Sequence, residues 1–260
     1  MAGRPVDLSV TTATPRHGDT NTIAREPPPL RLDQYSRRDK NKQVWQENIV
    51  LGWTYMLLYW MTGAVVGMYF GYFAKFWPLF PTFHDSDTWC FFCYYAVAAL
   101  VTLACQPALL RRFGRFGRRP SWVASILFAL CNGTFETIVF AVTYDAGKWV
   151  ARYACGARCS KWILVTTGFV AYMIYSAFIH TEFWLPRAFP RHALPDAPPF
   201  HTTMLPALVA VSAAWLLVLY EPTHNVGAVA SLHVIMNACF AWHMALPAPW
   251  LLLGCKMHPQ

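Results

Sequence analysis

Two pairs of polar side chains lie in the middle of long uncharged stretches, and these residues are the best suited to chemistry. Asn132 and Glu136 are four residues apart in one stretch, and His233 and Asn237 are four apart in another. In a helix this spacing puts both members of a pair on one face, one turn apart. A carboxyl group within hydrocarbon costs roughly 2.5–3.5 kcal/mol on insertion scales, so Glu136 should face other helices and have a partner there.

The natural partner of Glu136 is His233, because a neutral imidazole beside a carboxyl group forms an acid–base pair that works near neutral pH. We therefore predict a catalytic site between two helices. In it Glu136 gives or takes a proton, and His233 is the proton partner. Asn132 and Asn237 would orient a polar group of the substrate. The alternative is that both pairs are interhelical hydrogen bonds that only fix the packing.

Six further polar residues fall near the ends of the apolar stretches and could line a substrate or ion path. They are Asp145, Glu221 and His224 toward one side, and His180, Glu182 and His243 toward the other. With the central pairs they would form a column of polar groups across the membrane. Polar residues also cost little free energy at the ends of membrane spans, so the position of each one alone is weak evidence for a path.

Four cysteines lie near loops on one predicted side of the membrane. Cys90 and Cys93 form CFFC, and Cys155 and Cys159 form CGARC. In an oxidising compartment they could form disulfides or a thiol cluster; otherwise they are unpaired thiols, and they match a zinc site only loosely. The sequence contains no HExxH, no clustered histidine box and no Gly-rich phosphate loop. We therefore predict no metal site, and no motif names a cofactor.

The elements that must position these residues are helices long enough to cross a membrane. A span needs about 20 mostly apolar residues. Six stretches meet this requirement, and they predict an all-α, polytopic transmembrane helix bundle. The stretches are residues 48–74, 88–110, 121–144, 162–180, 202–220 and 225–246. Residues 247–255 are apolar but short, and would add a seventh span only if they crossed.

The predicted domain organisation is a tail, a membrane domain and a short end. Residues 1–47 are polar and Pro-rich, which predicts a disordered cytosolic tail, with an organelle transit peptide as the alternative. Residues 48–255 form the six-span domain, and residues 256–260 are the C-terminal end. With six spans, both termini lie on one side of the membrane.

Composition and charge support a membrane location. Hydrophobic residues make up 56% of the chain and charged residues only 13%. The net charge of +8 comes from basic residues that flank apolar spans and form no basic domain, so we expect membrane lipid and not nucleic acid as the partner. Of the 21 basic residues, 16 fall on the side of the tail. This asymmetry predicts that both termini are cytosolic.

Small residues and tryptophans in the spans have architectural explanations. Gly63, Gly67 and Gly71 recur at every fourth position, which lets another helix backbone approach closely. We favour packing within the chain, with a helix–helix oligomer as the alternative. Several tryptophans lie near span ends, as in an aromatic belt, among them Trp89, Trp122, Trp162 and Trp184.

These features together predict a small membrane enzyme that performs acid–base chemistry on a lipophilic substrate, such as an isoprenoid, a sterol-like molecule or an acyl lipid. A proton-coupled transporter or channel could use the same column of polar residues. In a non-catalytic membrane scaffold or assembly subunit, the same residues would only stabilise the bundle.

Overall fold

Six long helices form the described part of the chain. The computed structural model describes residues 49–76, 86–114, 120–188 and 197–246, and within these ranges it contains no strand. The helices are α1 (Ile49–Tyr69), α2 (Ser86–Leu110), α3 (Trp122–Cys155), α4 (Lys161–Phe178), α5 (Phe200–Ala213) and α6 (Val226–Met244). The predicted tail, residues 1–47, and the apolar stretch 247–255 with the C-terminal end lie outside the described residues.

Two of the helices continue beyond their α-helical part. A π-helix, Ile179–Ala188, follows α4, and a second one, Ala214–Tyr220, follows α5 and leads into a single turn, Glu221–Thr223. A short 3₁₀ helix, Tyr72–Phe76, follows α1.

The helices are long and apolar enough to cross a membrane, which confirms the predicted fold class. Five candidate spans satisfy both length and composition, namely Thr88–Leu110, Trp122–Cys155, Lys161–Trp184, Phe200–Thr223 and Val226–Met244. α1 adds 21 residues without a charged side chain. The chain is therefore a multi-pass membrane protein.

Polar caps begin three of the helices close to the predicted positions. The side chains of Ser121, Ser160 and Asn225 accept hydrogen bonds from backbone N–H groups in the first turns of α3, α4 and α6. Such caps satisfy amide groups that have no partner inside the helix. Each cap lies within two residues of a predicted span start.

The predicted ends of the third and fourth spans are wrong. Helix α3 continues past Tyr144 to Cys155, because no proline interrupts it and Gly156, with φ of 63°, forms its C-cap. Its 34 residues extend about 51 Å, more than the roughly 30 Å of hydrocarbon, so α3 is tilted or projects from the membrane. The fourth helix likewise continues through Glu182, which had been predicted to begin a loop.

Contacts at each end of the bundle show that successive helices alternate in direction. Tyr72 after α1, Asp145 on α3 and Tyr220 at the end of the α5 extension meet through hydrogen bonds. At the opposite end, His243 near the end of α6 contacts the carbonyl oxygen of Phe113 after α2. We call the first of these the far end and the second the near end. The near end is the side that the sequence predicts to be cytosolic.

Helix α3 lies at the centre of the bundle and packs against α1, α4 and α6. A Cβ atom on Gly63 would lie 2.8 Å from the carbonyl oxygen of Phe135, and one on Gly67 would lie 3.0 Å from the side chain of Ile138. Two of the three glycines therefore pack within the chain, on α3. Gly71 follows α1 with φ of 69° and has open space around it. An oligomer through this stripe stays a prediction.

Candidate functional site

Glu136 is the centre of a buried hydrogen-bond network in the middle of the bundle. Its side chain is 1% exposed. Oε1 accepts hydrogen bonds from Trp184 Nε1 at 3.0 Å and from the Tyr59 hydroxyl at 3.3 Å. Oε2 accepts from Asn132 Nδ2 at 2.5 Å and lies 3.4 Å from His233 Nε2. The predicted proximity of Glu136 and His233 is confirmed, whereas their catalytic roles stay predictions.

The hydrogen bonds around His233 determine which ring nitrogen faces Glu136. The Thr137 hydroxyl donates to the carbonyl oxygen of Gly133 at 2.6 Å, so its oxygen accepts from His233 Nδ1 at 2.9 Å. Nδ1 then carries a hydrogen, and Nε2 of a neutral ring presents a lone pair toward Glu136. Nε2 lies 3.4 Å from Oε2 of Glu136, which is longer than an ordinary N–H···O hydrogen bond of about 2.7–3.2 Å. The arrangement places a carboxyl group and an imidazole nitrogen side by side.

A close crossing of α3 and α6 brings these side chains together. A Cβ atom on Gly133 would lie 2.6 Å from Val234 Cγ2 and 2.7 Å from both Cα and N of Val234. Only glycine lets the two backbones approach this closely. Gly133 and Val234 are immediate neighbours in sequence of the two predicted pairs, so the crossing places Glu136 and His233 at one depth.

Aromatic rings hold the imidazole of His233 in place. Phe140 stacks on it with ring centroids 5.5 Å apart and an interplanar angle of 16°. The Trp215 ring lies 4.9 Å from it between centroids. Both rings are buried, and they restrict rotation of an imidazole that is itself only 2% exposed.

The two asparagines of the predicted site have different surroundings. Asn132 donates to Glu136, and its Oδ1 accepts from Trp60 Nε1 at 3.0 Å, so both ends of its amide are engaged within the protein. Asn237 is 5% exposed, and its Nδ2 has no hydrogen-bond partner among the described residues. Leaving a buried donor unsatisfied costs about 1–3 kcal/mol. Asn237 is therefore the group with unused capacity to bind a ligand.

A cavity lies directly against this network. Its polar part is lined by Asn132, Glu136, His180, His233 and Asn237. Its empty space is about 500 Å³, including the part that is open to the surroundings, and the centre of a water molecule could move through about 50 Å³ of it. A single water molecule needs about 10–15 Å³ of the volume that water centres can reach, so the cavity can hold a slender group several atoms long.

The remaining lining is apolar and leads toward the near end. It consists of Leu109, Phe113, Phe128, Trp184, Met204, Leu208, Met236, Phe240 and Met244. On α3 the lining runs from Glu136 back to Phe128, about 12 Å, and on α6 from His233 to Met244, about 16 Å. No described residue of α3 or α6 on the far-end side of Glu136 and His233 lines it. The described lining of α3 and α6 therefore extends from Glu136 and His233 toward the near end only.

The polar residues that were predicted near the near end divide between the cavity and the surface. The Nδ1 of His180 contacts the carbonyl oxygen of Ser176 at 2.7 Å, and the ring lines the cavity. The Nε2 of His243 contacts the Phe113 carbonyl oxygen at 2.9 Å. Glu182 is exposed and does not line the cavity. Of these three residues, the structure brings only His180 into the candidate site.

Asp145 and Glu221 take part in a separate polar cluster at the far end. Asp145 Oδ2 accepts from the hydroxyls of Tyr72 at 2.6 Å and Tyr220 at 2.7 Å, and it pairs with Lys75 Nζ at 3.2 Å. Burial and the hydrogen bond to Asp145 raise the pKa of Tyr72, which keeps its hydroxyl protonated as a donor. None of these residues lines the cavity.

The second half of the far-end cluster joins α3 to the end of the α5 extension. Glu221 Oε2 accepts from Lys148 Nζ at 2.6 Å and from the Tyr144 hydroxyl at 2.9 Å. His224 begins the connection to α6 in the left-handed region, with φ of 50°, and its ring lies 5.9 Å from that of Tyr220. The polar column that the sequence suggests is thus two separate clusters in the structure.

The two lysines of this cluster should contribute unequally to stability. Replacing Lys148 with methionine should lower the free energy of unfolding by about 1–3 kcal/mol, because the Glu221 carboxyl group would lose this partner in a largely buried place. Lys75→Met should cost less than about 1 kcal/mol, since the Lys75–Asp145 pair is about a third exposed and solvent screens it. Thermal unfolding of both variants in one detergent tests this order, and an equal or reversed order would contradict it.

The four predicted thiols are all free in the structure. Cys90, Cys93 and Cys155 are exposed, and Cys159 Sγ lies 3.6 Å from the carbonyl oxygen of Ala151. Among the described residues, no three histidine, cysteine, aspartate or glutamate side chains converge in a way that could hold a metal ion. A disulfide or thiol cluster stays a prediction.

No protein-family model, no curated protein and no solved structure matches the chain.

Sequence reasoning missed three side chains that contact the network. Tyr59 and Trp60 lie in the middle of α1, and Trp184 lies in the π-helix after α4. A tyrosine or tryptophan far from the membrane surface has a polar atom that needs a buried partner, and this signal could have found the first two. Trp184 was interpreted as part of the aromatic belt. Unlike Trp89 and Trp162, which are exposed, it is 5% exposed.

Proposed function

We propose that this chain is a membrane-embedded enzyme that performs acid–base chemistry on a lipophilic small molecule. The observation that carries the proposal is the position of the Glu136–His233 pair at the polar end of a cavity whose other described lining is mainly apolar. Concave apolar sites with a few convergent polar groups are typical of small-molecule binding. An ionisable pair within such a site suits proton transfer.

The surrounding residues support different roles for Glu136 and His233. Trp184 and Tyr59 hold one oxygen of Glu136, which leaves the other facing His233. Thr137 fixes the hydrogen on Nδ1 of the imidazole, so Nε2 is the atom that exchanges a proton. Fixed donors of this kind need no reorganisation during a reaction.

The pair suits reactions in which a substrate gains a proton at one atom and loses one at another. Glu136 would donate the first proton, and the resulting base would accept the second, so the enzyme returns to its starting state. Migration of a double bond within an isoprenoid or sterol-like molecule is a reaction of this type, and it needs no redox partner. Asn132 would position Glu136, and Asn237 would orient the polar group of the substrate.

Lipid analysis of a matched pair of variants tests the proposal. Glu136→Gln keeps the shape of the side chain but removes the acid, so the product should fall about 10²–10⁴-fold while the substrate accumulates. Glu182→Gln, an exposed carboxylate outside the cavity, should leave both unchanged. The measurement is mass spectrometry of lipids from cells that produce each variant at equal levels of folded protein. Identical lipid profiles for the wild type and Glu136→Gln would reject an enzymatic role.

A further inference from the structure

We propose that the ligand of this cavity is an uncharged lipid alcohol, which binds with its hydroxyl group at the polar end. The inference rests on the proposed function for the site but adds the chemical class of the molecule. Its basis is one donor and one acceptor of the polar lining that no described residue uses. They belong to Asn237 and His180 respectively.

Asn237 supplies the donor. Its side chain is 5% exposed, lines the cavity, and has an Nδ2 group without a partner among the described residues. In the neighbouring Asn132 both polar atoms already have a protein partner, Glu136 for Nδ2 and Trp60 for Oδ1. A ligand oxygen that accepts from Asn237 would satisfy this donor.

His180 supplies the acceptor. Its Nδ1 donates to the carbonyl oxygen of Ser176 at 2.7 Å, which leaves a lone pair on Nε2 of the neutral ring. No partner for this Nε2 is found in the described part of the chain. A hydroxyl group both accepts and donates, so it can satisfy an amide N–H and an imidazole nitrogen together. A ketone, an aldehyde or an ester can satisfy only the first.

The electrostatics of the lining argue against a charged headgroup. Among the residues whose side chains are described, no lysine, arginine or aspartate lines the cavity, so none of them offers a counter-ion to a phosphate. Glu136 is the only acidic residue in this described lining, and both of its oxygens already accept hydrogen bonds from protein groups, so an ammonium group would compete with them. Burying an unpaired charge is costly, and an uncharged polar end avoids this cost.

The apolar body of the ligand would lie against the described apolar lining, which includes Trp184 after α4 and Met204 on α5. On the far-end side of the site these helices are joined by a hydrogen bond of 2.9 Å between Tyr172 and Ser212. Methionine side chains are flexible and adapt to chains of different shape.

Photolabelling of the purified full-length protein in lipid nanodiscs tests the proposal. The probe is a long-chain primary alcohol with a diazirine in the chain and a terminal alkyne. We expect saturable labelling of peptides that contain Ile179–Trp184 and Phe200–Leu208. The unlabelled alcohol should compete, whereas the phosphate monoester and the primary amine of the same chain should compete at least about tenfold more weakly. Equal competition by either charged analogue, or labelling that does not saturate, would overturn the proposal.

Two substitutions connect the binding to the named groups. Asn237→Leu and His180→Phe should each weaken binding of the alcohol about fivefold, as expected for the loss of one hydrogen bond. Ile235→Ala, on the exposed face of α6, should not change it. Unchanged affinity in both of the first two variants would overturn the assignment. The competition series on the wild type decides the ligand class even if either variant fails to fold.

The same probe separates this inference from the proposed enzymatic function. Glu136→Gln should still be labelled, because its carboxyl group does not bind the hydroxyl in this scheme. Saturable labelling together with unchanged cellular lipids in Glu136→Gln would support the alcohol site and reject the enzyme. A Glu136-dependent change in lipids without competition by the alcohol would support the enzyme and reject the alcohol.

Discussion

Glu136→Gln and His233→Gln are each expected to reduce turnover about 10²–10⁴-fold, and the double variant is expected to be no slower than the slower single one. The reason is that the proposed mechanism uses Glu136 and His233, which lie 3.4 Å apart, as one acid–base pair, so either substitution already breaks it. Groups that act as a unit are non-additive, whereas independent groups would multiply their effects.

The double-mutant cycle should be measured in both turnover and stability. A strong coupling energy in thermal stability, together with unaffected turnover, would mean that the pair only stabilises the packing of the helices and that the chain acts as a scaffold. If their effects on turnover multiply, the two residues act independently and the proposed acid–base pair is excluded. The far-end variant Lys75→Met controls for general loosening of the bundle, since its side chain lies outside the cavity.

The substitution Gly133→Ala, which adds a single methyl group, is expected to lower both the stability and the turnover. In Gly133→Ala the new Cβ would lie 2.7 Å from the backbone N and Cα atoms of Val234, and backbone atoms cannot rotate away. The helices must separate, which should cost about 1–3 kcal/mol as in other overpacked sites. Because the same crossing brings Glu136 to His233, the separation should also lower turnover.

A matched control distinguishes the crossing from the general effect of a larger side chain in α3. Ala146→Val adds two methyl groups at an exposed position of the same helix and should change stability by less than about 0.5 kcal/mol. Thermal unfolding and turnover of the two variants should be compared in the same nanodisc. A Gly133→Ala protein with wild-type stability and turnover would contradict the crossing in the structure.

The sequence predicts the helices well because apolar length is a strong constraint in membranes. Backbone groups in hydrocarbon must bond within their own segment, so a long uncharged stretch has few alternatives to a helix. The contact between Glu136 and His233 was predictable for a related reason, since a polar group at this depth needs a partner. The end of α3 was not predictable from hydropathy, because Asp145, Lys148 and Arg152 interrupt the apolar pattern without interrupting the helix.

The residues that surround Glu136 and His233 were less predictable than the contact between these two residues. The position of Trp184 near the end of a span is typical of the membrane interface, and only the π-helical continuation of α4 directs its indole N–H to Glu136. Phe128, Met236 and Phe240 have the spacing of ordinary core residues, and no feature of the sequence shows that they line a cavity. Cavities depend on how helices diverge, and hydropathy carries no information about this.

The incorporation of deuterium from D₂O into a lipid tests the central claim most directly, because it detects proton transfer to a lipid before the product is identified. The purified protein in nanodiscs would be incubated in D₂O with a lipid extract of the membranes in which it is made, and the lipids analysed by mass spectrometry. We predict that one lipid species gains deuterium in the presence of the wild type and of Glu182→Gln, and that it gains none with Glu136→Gln. Equal incorporation with the wild type and Glu136→Gln, or none with either, would contradict a role of Glu136 as the acid.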